Sequence, residues 1–373
     1  MTLGDLKDVE FINASPDDML AALLEEYTSI TERTLAKGDP VRLFLMVIAE
    51  AFIRLRNEIN YAGKMNLLKY AEGDYLDHLG ALTDTTRLEA TAAVTTIKVT
   101  LSNVRERDTD IPAGIRISNG DKLYFALTES GVIPKGETEI FLPAKCLETG
   151  DAGNDYMAGE IKTIVDPIPY VTSMANTTKT EGGAERESDI HYRERIHEAP
   201  EKFSNAGSYG AYRYWAMTAS SLIVDVEPYS NEELAGIVRL YVLLENGEIP
   251  GVEILNMVYD AVNAEKIRPL TDKVECLPPK TVSYDLEVEY YIKDTADVTA
   301  VQKAAETAVN EFVLWQKSKL GRDINTDELI YKLKSISGIK RIKIKSPDFV
   351  SLQSIEVAVA NNISLTLKGR EDE

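Results

Sequence analysis

Cysteine, histidine and tryptophan are scarce in this chain of 373 residues, which has two, three and two of them. Cys146 and Cys276 cannot build a disulfide scaffold. Together with His78, His191 and His197 they are too few for most structural zinc sites. His191 and His197 stand six positions apart, on different sides of a helix, and cannot share a metal unaided. His78 beside Asp77 reads as a polar partner of its neighbours. Positive charge is also short: 41 basic side chains face 61 acidic ones, a formal net charge of -20. A surface this negative repels phosphate backbones, which argues against general nucleic-acid binding. Long hydrophobic runs are missing. The longest, Leu43 to Ala49, is far short of the roughly 20 residues that cross a bilayer. The acidic start, Met1-Thr-Leu-Gly-Asp-Leu-Lys-Asp8, lacks the basic and apolar parts of a leader. The expectation is a chain made and kept in the cytosol unless another machine exports it. Asn13-Ala-Ser15, Asn176-Thr-Thr178 and Asn362-Ile-Ser364 are then chance matches to the glycosylation pattern.

Signatures of chemistry are lacking too. There is no Gly-x4-Gly-Lys-Ser/Thr loop, no Gly-x-Gly-x-x-Gly after a strand, and no Gly-x-Ser-x-Gly elbow. Gly150-Asp-Ala-Gly-Asn154-Asp155 offers oxygens that suit calcium but not the spacing of an EF-hand loop. A tight turn is the better account. In so acidic a chain no glycosidase pair can be singled out. Trp215 and Trp315 fall in predicted helices, not on sugar-stacking platforms. No catalytic residue, cofactor or metal ligand is assigned.

What is present is a foldable multidomain α+β chain. Hydrophobic residues make up 44% and charged residues 27%, close to the globular average. Residues 1–90 read as a helical bundle segment. Ser15 or Asp17 caps a helix with Leu20, Leu23, Leu24, Tyr27 and Ile30 on one face. Asp39 caps a second, with Pro40 at its first position. On this helix Val41, Leu45, Ile48, Phe52, Leu55 and Ile59 recur at alternating steps of four and three, the period of a coiled-coil seam. Leu43, Phe44 and Val47 widen the face beyond what one neighbouring helix covers. A short helix follows, from about Asp74 to Leu82.

Residues 91–181 read as a small all-β domain, sandwich or open barrel. Ile97, Val99 and Leu101 alternate, Ile140 and Leu142 alternate, and turns recur every 8 to 12 residues. Asn119-Gly120 between two strands predicts a hairpin with a type I′ turn. Residues 182–280 and 281–373 read as α+β modules. The strand at Ile237–Glu245 is apolar on both faces and is expected at the centre of its sheet. A helix is expected from Pro250 to Glu265. In the next strand Val282, Tyr284, Leu286, Val288, Tyr290 and Ile292 point one way. Two final strands are expected near Ile355–Val359 and Ile363–Leu367, before an acidic tail. A helix feeding Ser220-Ser-Leu-Ile-Val echoes one feeding Ser335-Ile-Ser-Gly-Ile. Two related modules of split βαβ type would give this echo, and so would chance.

Two surface features stand open. Tyr209, Tyr212 and Tyr214 beside Trp215 suit either core packing or a protein contact. Arg341, Lys343 and Lys345 share one face of a strand in a stretch without acids. They either guard an edge strand or form a docking patch for an acidic partner.

Several stretches, in order, resemble the baseplate J-like family of contractile phage tails and related tail-derived particles. They are Gly73-Asp-Tyr-Leu-Asp77-His-Leu-Gly80 with Arg87, then Ile111-Pro-Ala-Gly114, then Gly150-Asp-Ala-Gly-Asn154. Gly182-Gly-Ala-Glu-Arg-Glu-Ser-Asp189 with Arg193-Glu-Arg195-Ile follows, then Gly207-Ser-Tyr-Gly-Ala-Tyr-Arg-Tyr-Trp215. The resemblance runs from about Lys69 to Pro347. In physical terms Gly182 and Gly183 read as a hinge, while Ser188 and Asp189 cap and charge a helix N-terminus. The resemblance implies a structural wedge component of a six-fold baseplate ring around a hub, in a virion or tailocin. It implies three partners: a second copy of the chain, a second wedge protein, and a lysozyme-like wedge protein that starts the sheath. No nucleic acid and no membrane are expected as partners. The competing readings are a host-binding tail protein and a cell-wall hydrolase.

Overall fold

The computed structural model describes residues 3–203, 208–231, 236–264 and 272–372. Gly207 and Glu265, which figure in the sequence expectations, lie outside the described residues. The chain divides into two compact units: Met1–Arg87 with Tyr192–Ala199, and Leu88–His191 with Pro200–Glu373.

The first unit is helical. In α1 (Pro16–Thr31) the Ser15 hydroxyl accepts from the Asp18 N–H, and in α2 (Pro40–Lys64) Asp39 accepts from the Val41 N–H with Pro40 at the first position. These caps satisfy donors that a helix start leaves without partners. The two helices pack through Met19, Ala49 and Ile53, flanked by Leu20 and Leu23. Ile30, expected on the packed face of α1, is instead exposed in its last turn. A third helix, α3 (Gly73–Ala81), shares a small core with α4 (Asp189–Glu198): Leu76 and Ala71 meet Tyr192 and Ile196.

The second unit opens with the β domain. Its strands are β1 (Val94–Leu101), β2 (Thr109–Ile111), β3 (Arg116–Ser118), β4 (Tyr124–Leu127), β5 (Gly131–Ile133), β6 (Glu139–Cys146), β7 (Thr163–Ile164) and β8 (Val171–Asn176). Six of them form one sheet in the order β7-β3-β4-β6-β1-β8, and β2 pairs with β5. Alternate residues of β1 turn inward, so Ile97, Val99 and Leu101 join Ile117, Phe125 and Leu142 in the core. The two ends of the sheet approach at Asn176. Its side-chain oxygen accepts from the Gly159 and Ile161 N–H groups at 3.0 and 2.9 Å, and its amide donates to the Met157 and Thr178 carbonyls. The result is a nearly closed barrel. Asn176 is buried, so its glycosylation-like context is a structural coincidence.

The hairpin at Asn119-Gly120 forms, but not with a type I′ turn. Ser118 pairs with Tyr124, which leaves a five-residue loop, and of the two residues only Gly120 has positive φ. A type I′ turn needs positive φ at both positions. The Asn119 side chain instead accepts from the Asp121 N–H, closing an Asx turn.

The two α+β modules follow. In the first, β9 (Ile223–Tyr229), β10 (Ile237–Leu244) and β11 (Lys273–Leu277) lie in the order β11-β10-β9. Strand β10 is central, as its two apolar faces predict. Leu240, Val242 and Leu244 pack under α5 (Tyr209–Met217) and α6 (Val252–Val262), while Tyr241 and Leu243 meet Leu320, Ile355 and Val357 of the second module. Tyr212 and Tyr214 are buried, which makes them core residues, whereas Tyr209 is exposed and donates to Glu227.

In the second module, β12 (Lys280–Lys293) lies between β13 (Ile339–Ser346) and β14 (Glu356–Glu371). Its inward row Tyr284, Leu286, Val288, Tyr290 and Ile292 packs against α7 (Val298–Lys317) and α8 (Asp327–Lys334). The two short final strands expected from the sequence are one strand, bent where register shifts fall between Tyr284/Leu286 and Tyr290/Tyr291 of its partner β12. In both modules the central strand has one antiparallel and one parallel neighbour. In each sheet the parallel strands are adjacent; β10 and β11 are joined directly through α6, whereas β13 intervenes in the chain between β12 and β14. The echo seen in sequence is real in form: α5 and α8 each feed the antiparallel edge strand.

Candidate assembly surfaces

Helix α2 carries two apolar stripes. Ala49 and Ile53 face inward, with the polar Asn60 buried farther along the same side and bonded to the Phe11 and Ile12 backbone. At 3.6 residues per turn, Val41, Ile48, Phe52, Leu55 and Ile59 lie about a quarter-turn away. On that second stripe Val41, Leu45 and Ile48 are half-buried, while Phe52, Leu55 and Ile59 are exposed by 46, 50 and 45%. Phe44 and Val47 are more open still, at 64 and 68%. The 3.5-residue seam is therefore not the stripe that α1 covers. Contiguous large apolar side chains on a surface mark an interaction site or an aggregation hazard.

The basic strip on β13 is largely spent inside its own sheet. Arg341 pairs with Glu371 of β14 and stacks over the Tyr291 ring at 3.8 Å. Hydrogen bonding to Glu371 is the main reason its guanidinium holds its proton more tightly than usual. Lys345 bridges Glu289 at 2.6 Å and Glu287 at 3.2 Å, and Lys368 reaches Glu289 from the other side. Hydrogen bonds from Lys345 and then Lys368 hold the Glu289 carboxyl below its ordinary range. Lys343 alone of the three is exposed with no carboxylate partner among the described residues. The absence of acids near these residues in sequence hid partners that lie on β12 and β14.

Gly182 and Gly183, read from the sequence as a hinge, are held by hydrogen bonds from both sides. Asn154 accepts from the Gly183 N–H at 2.9 Å and donates to the Gly183 carbonyl at 2.7 Å. The Thr91 hydroxyl donates to the Gly182 carbonyl, and bridges Thr91–Ala184 and Val94–Glu181 flank the pair. Gly182 has φ +87°, and a β-carbon on Gly183 would lie 2.9 Å from Asn154 Oδ1. Glycine is needed here for close approach and a left-handed angle. These bonds tie the Asn154 side chain to a residue 29 positions on, not to its own turn. Next in the chain, Glu181 caps α6: its carboxylate accepts from the Gly251, Glu253 and Ile254 N–H groups at 2.9, 2.8 and 3.2 Å. Ser188 accepts from the His191 N–H at 3.3 Å, with Asp189 in the first turn of α4. The His191 ring lies between Glu187 and the Ile223 carbonyl, 2.5 and 2.7 Å from them.

A second knot joins motifs that are over a hundred residues apart. The Tyr192 hydroxyl donates to the Thr85 carbonyl, Arg195 to the Thr86 carbonyl, and Arg193 to the Ala71 carbonyl. Arg87 pairs with Asp77 at 3.0 Å and lies over the Tyr192 ring at 4.6 Å. Sequence reading marked Arg193 and Arg195 but missed Tyr192. Its signal was an aromatic beside two arginines in a helix with almost no hydrophobic face.

Among the described residues no three His, Cys, Asp or Glu side chains are placed to hold a metal ion. A cleft of about 250 Å³ is lined by Asp151, Asp155, Glu181, Glu245 and Glu248. Of these, Asp155 is paired with Lys179 and Glu181 is occupied as a cap. Burial pushes the Cys276 thiol up to about 12, far from a reactive thiolate. Among the described residues no helix is long and apolar enough to cross a membrane.

Family comparisons agree with this constructional arrangement. Residues 38–93 match the baseplate J-like N-terminal domain, 88–183 the barrel domain, 204–278 the central domain, and 284–366 the C-terminal domain. The chain belongs to the baseplate J-like family. Baseplate protein J of Escherichia phage P2 is 30% identical over 178 residues, which are 48% of this chain and 58% of that protein. The match thus spans less than two thirds of the phage protein. A chain of the anti-feeding prophage baseplate is similar over 92% of this chain and 90% of its own, with 12% identity and a TM-score of 0.39. A likeness that loose places no element. Several of the motifs through which the sequence resembles the baseplate J-like family form, in this structure, the hydrogen-bonded glycines, the Ser188 cap and the tyrosine–arginine knot.

Proposed function

We propose that the chain is a structural component of a contractile-tail baseplate, building wedges that close into a six-fold ring around the hub of a virion or tailocin. The observation that carries this reading is the outward apolar stripe of α2. Fully burying each such side chain contributes about 1.5–3 kcal/mol, so several of them support a stable helical bundle. That bundle would unite the chain with a second copy and a second wedge protein, with a lysozyme-like sheath-initiating protein as neighbour. The helical region to residue 90, the β domain of 91–181 and the modules of 182–280 and 281–373 divide the work. The helices bundle, and the C-terminal modules link wedges. Closure of a ring lets each link be modest while the whole is stable. In this reading Lys343 is the group of the basic strip that faces a neighbour. The chain turns over no substrate.

Particles assembled with and without the chain test this by electron microscopy. Tails lacking organised baseplates are expected without it. Complete baseplates would overturn the proposal, and release of cell-wall fragments by the purified chain would favour the hydrolase reading instead.

A further inference from the structure

The chain contains two Asn-Gly pairs, Asn119-Gly120 and Asn246-Gly247, and the structure prepares them very differently. We infer that Asn119 is a self-modification site: its side-chain amide converts spontaneously to an acid in the folded protein, while Asn246 is protected. This goes beyond the assembly role and does not depend on it.

The chemistry needs a nucleophile, an electrophile and room. The nucleophile is the Gly120 backbone nitrogen, whose N–H donates to the Ser118 hydroxyl at 3.1 Å. That hydroxyl is itself oriented by donating to the Asp121 carbonyl at 2.9 Å. The electrophile is the Asn119 side-chain carbonyl. It is folded back along the chain, and its oxygen accepts from the Asp121 N–H at 2.9 Å. A donor held at that oxygen stabilises the negative charge that grows there during attack. Room exists because Gly120 is exposed, and the nearest atom to a β-carbon placed on it would be Thr163 Oγ1 at 3.9 Å.

The bonds balance without an oxidant or reductant. The Gly120 nitrogen loses its proton and bonds to the Asn119 side-chain carbon. The carbon–nitrogen bond of the amide breaks, and ammonia leaves with that proton. Solvent water then opens the five-membered imide at either carbonyl, leaving an aspartyl or isoaspartyl residue at position 119. Each event adds a negative charge beside Asp121, and the isoaspartyl product lengthens the main chain within the β3–β4 loop.

Asn246 lacks these conditions. Asn246 and Gly247 both hold left-handed angles, φ 57° and 68°, in a turn closed by the Leu244 N–H to Glu248 carbonyl bond at 3.1 Å. A β-carbon on Gly247 would lie 2.6 Å from the Lys317 carbonyl oxygen. Gly247 is thus packed tightly against the end of α7, which restricts the backbone rotation that attack on the Asn246 side chain requires.

The test incubates the full chain in mildly alkaline buffer, folded and in urea, and follows both peptides by mass spectrometry with isoaspartyl methyltransferase labelling. In urea the two sites should convert at similar rates. In the folded chain Asn119 should keep its unfolded rate within a few-fold, while Asn246 falls at least about tenfold behind, ~1.4 kcal/mol in barrier. Equal rates at the two sites in the folded chain, or a folded Asn119 as slow as Asn246, would overturn the inference.

Discussion

The Tyr192 hydroxyl fills the space that a β-carbon on Gly80 would occupy, and it donates there to the Thr85 carbonyl at 2.7 Å. The added carbon would also lie 2.6 Å from the Thr85 carbonyl oxygen itself. Gly80→Ala must therefore displace a buried aromatic and break its bond. The expected loss is about 2–4 kcal/mol, from overpacking and an unsatisfied buried group. Tyr192→Phe alone should cost about 1 kcal/mol. The double variant should be less destabilised than the sum, because both changes act on one contact. Denaturant unfolding of the four proteins checks this, and strict additivity would refute the contact.

Glu181 accepts from three N–H groups at the start of α6, a site where a helix favours negative charge. Glu181→Ala should destabilise the second unit by about 1–3 kcal/mol, and Glu181→Gln by less. Amide exchange at Glu253 and Ile254 should rise in the alanine variant. Unchanged exchange at both would show that the cap is idle.

Asp166 supplies a pH-dependent contact. It accepts from the Arg116 side chain twice, at 2.9 Å each, and from the Arg116 N–H at 3.1 Å. Hydrogen bonding from Arg116 lowers its pKa from 3.8 to about 2. Because the folded value is depressed, this contact stabilises the β3 region above the ordinary carboxylate range. The benefit is lost as pH falls from there toward the folded value. An NMR titration of the Asp166 carboxyl should show the low midpoint, and Arg116→Ala should return it toward 3.8. A midpoint unaffected by that substitution would remove Arg116 as the cause.

Much of the fold was legible because its signals are local. Ser15, Asp39 and Pro40 mark helix starts by chemistry that acts within one turn. The alternation in β12 and the double apolar face of β10 follow from burial on one side or two. What escaped depends on partners far along the chain. The glycines at 182 and 183 suggested freedom, yet Thr91 bonds the first and Asn154 the second, both from far along the chain. The acids that neutralise Arg341 and Lys345 sit on other strands. Tyr192 owes its burial to Gly80, over a hundred residues earlier, and no periodicity announces such a pair. The α2 seam was readable as a pattern, but only the structure separates the stripe that α1 covers from the one that faces outward.

The exposed stripe of α2 carries the assembly account, and one experiment addresses it most directly. The chain is co-expressed with candidate baseplate proteins and purified through a tag on one of them, as wild type and as Phe52→Asp/Leu55→Asp. The wild-type chain should co-purify. The variant should keep its circular dichroism yet bind at least a hundredfold more weakly, since two such side chains carry roughly 3 kcal/mol or more between them. A correctly folded variant that still co-purifies with wild-type affinity would contradict the account.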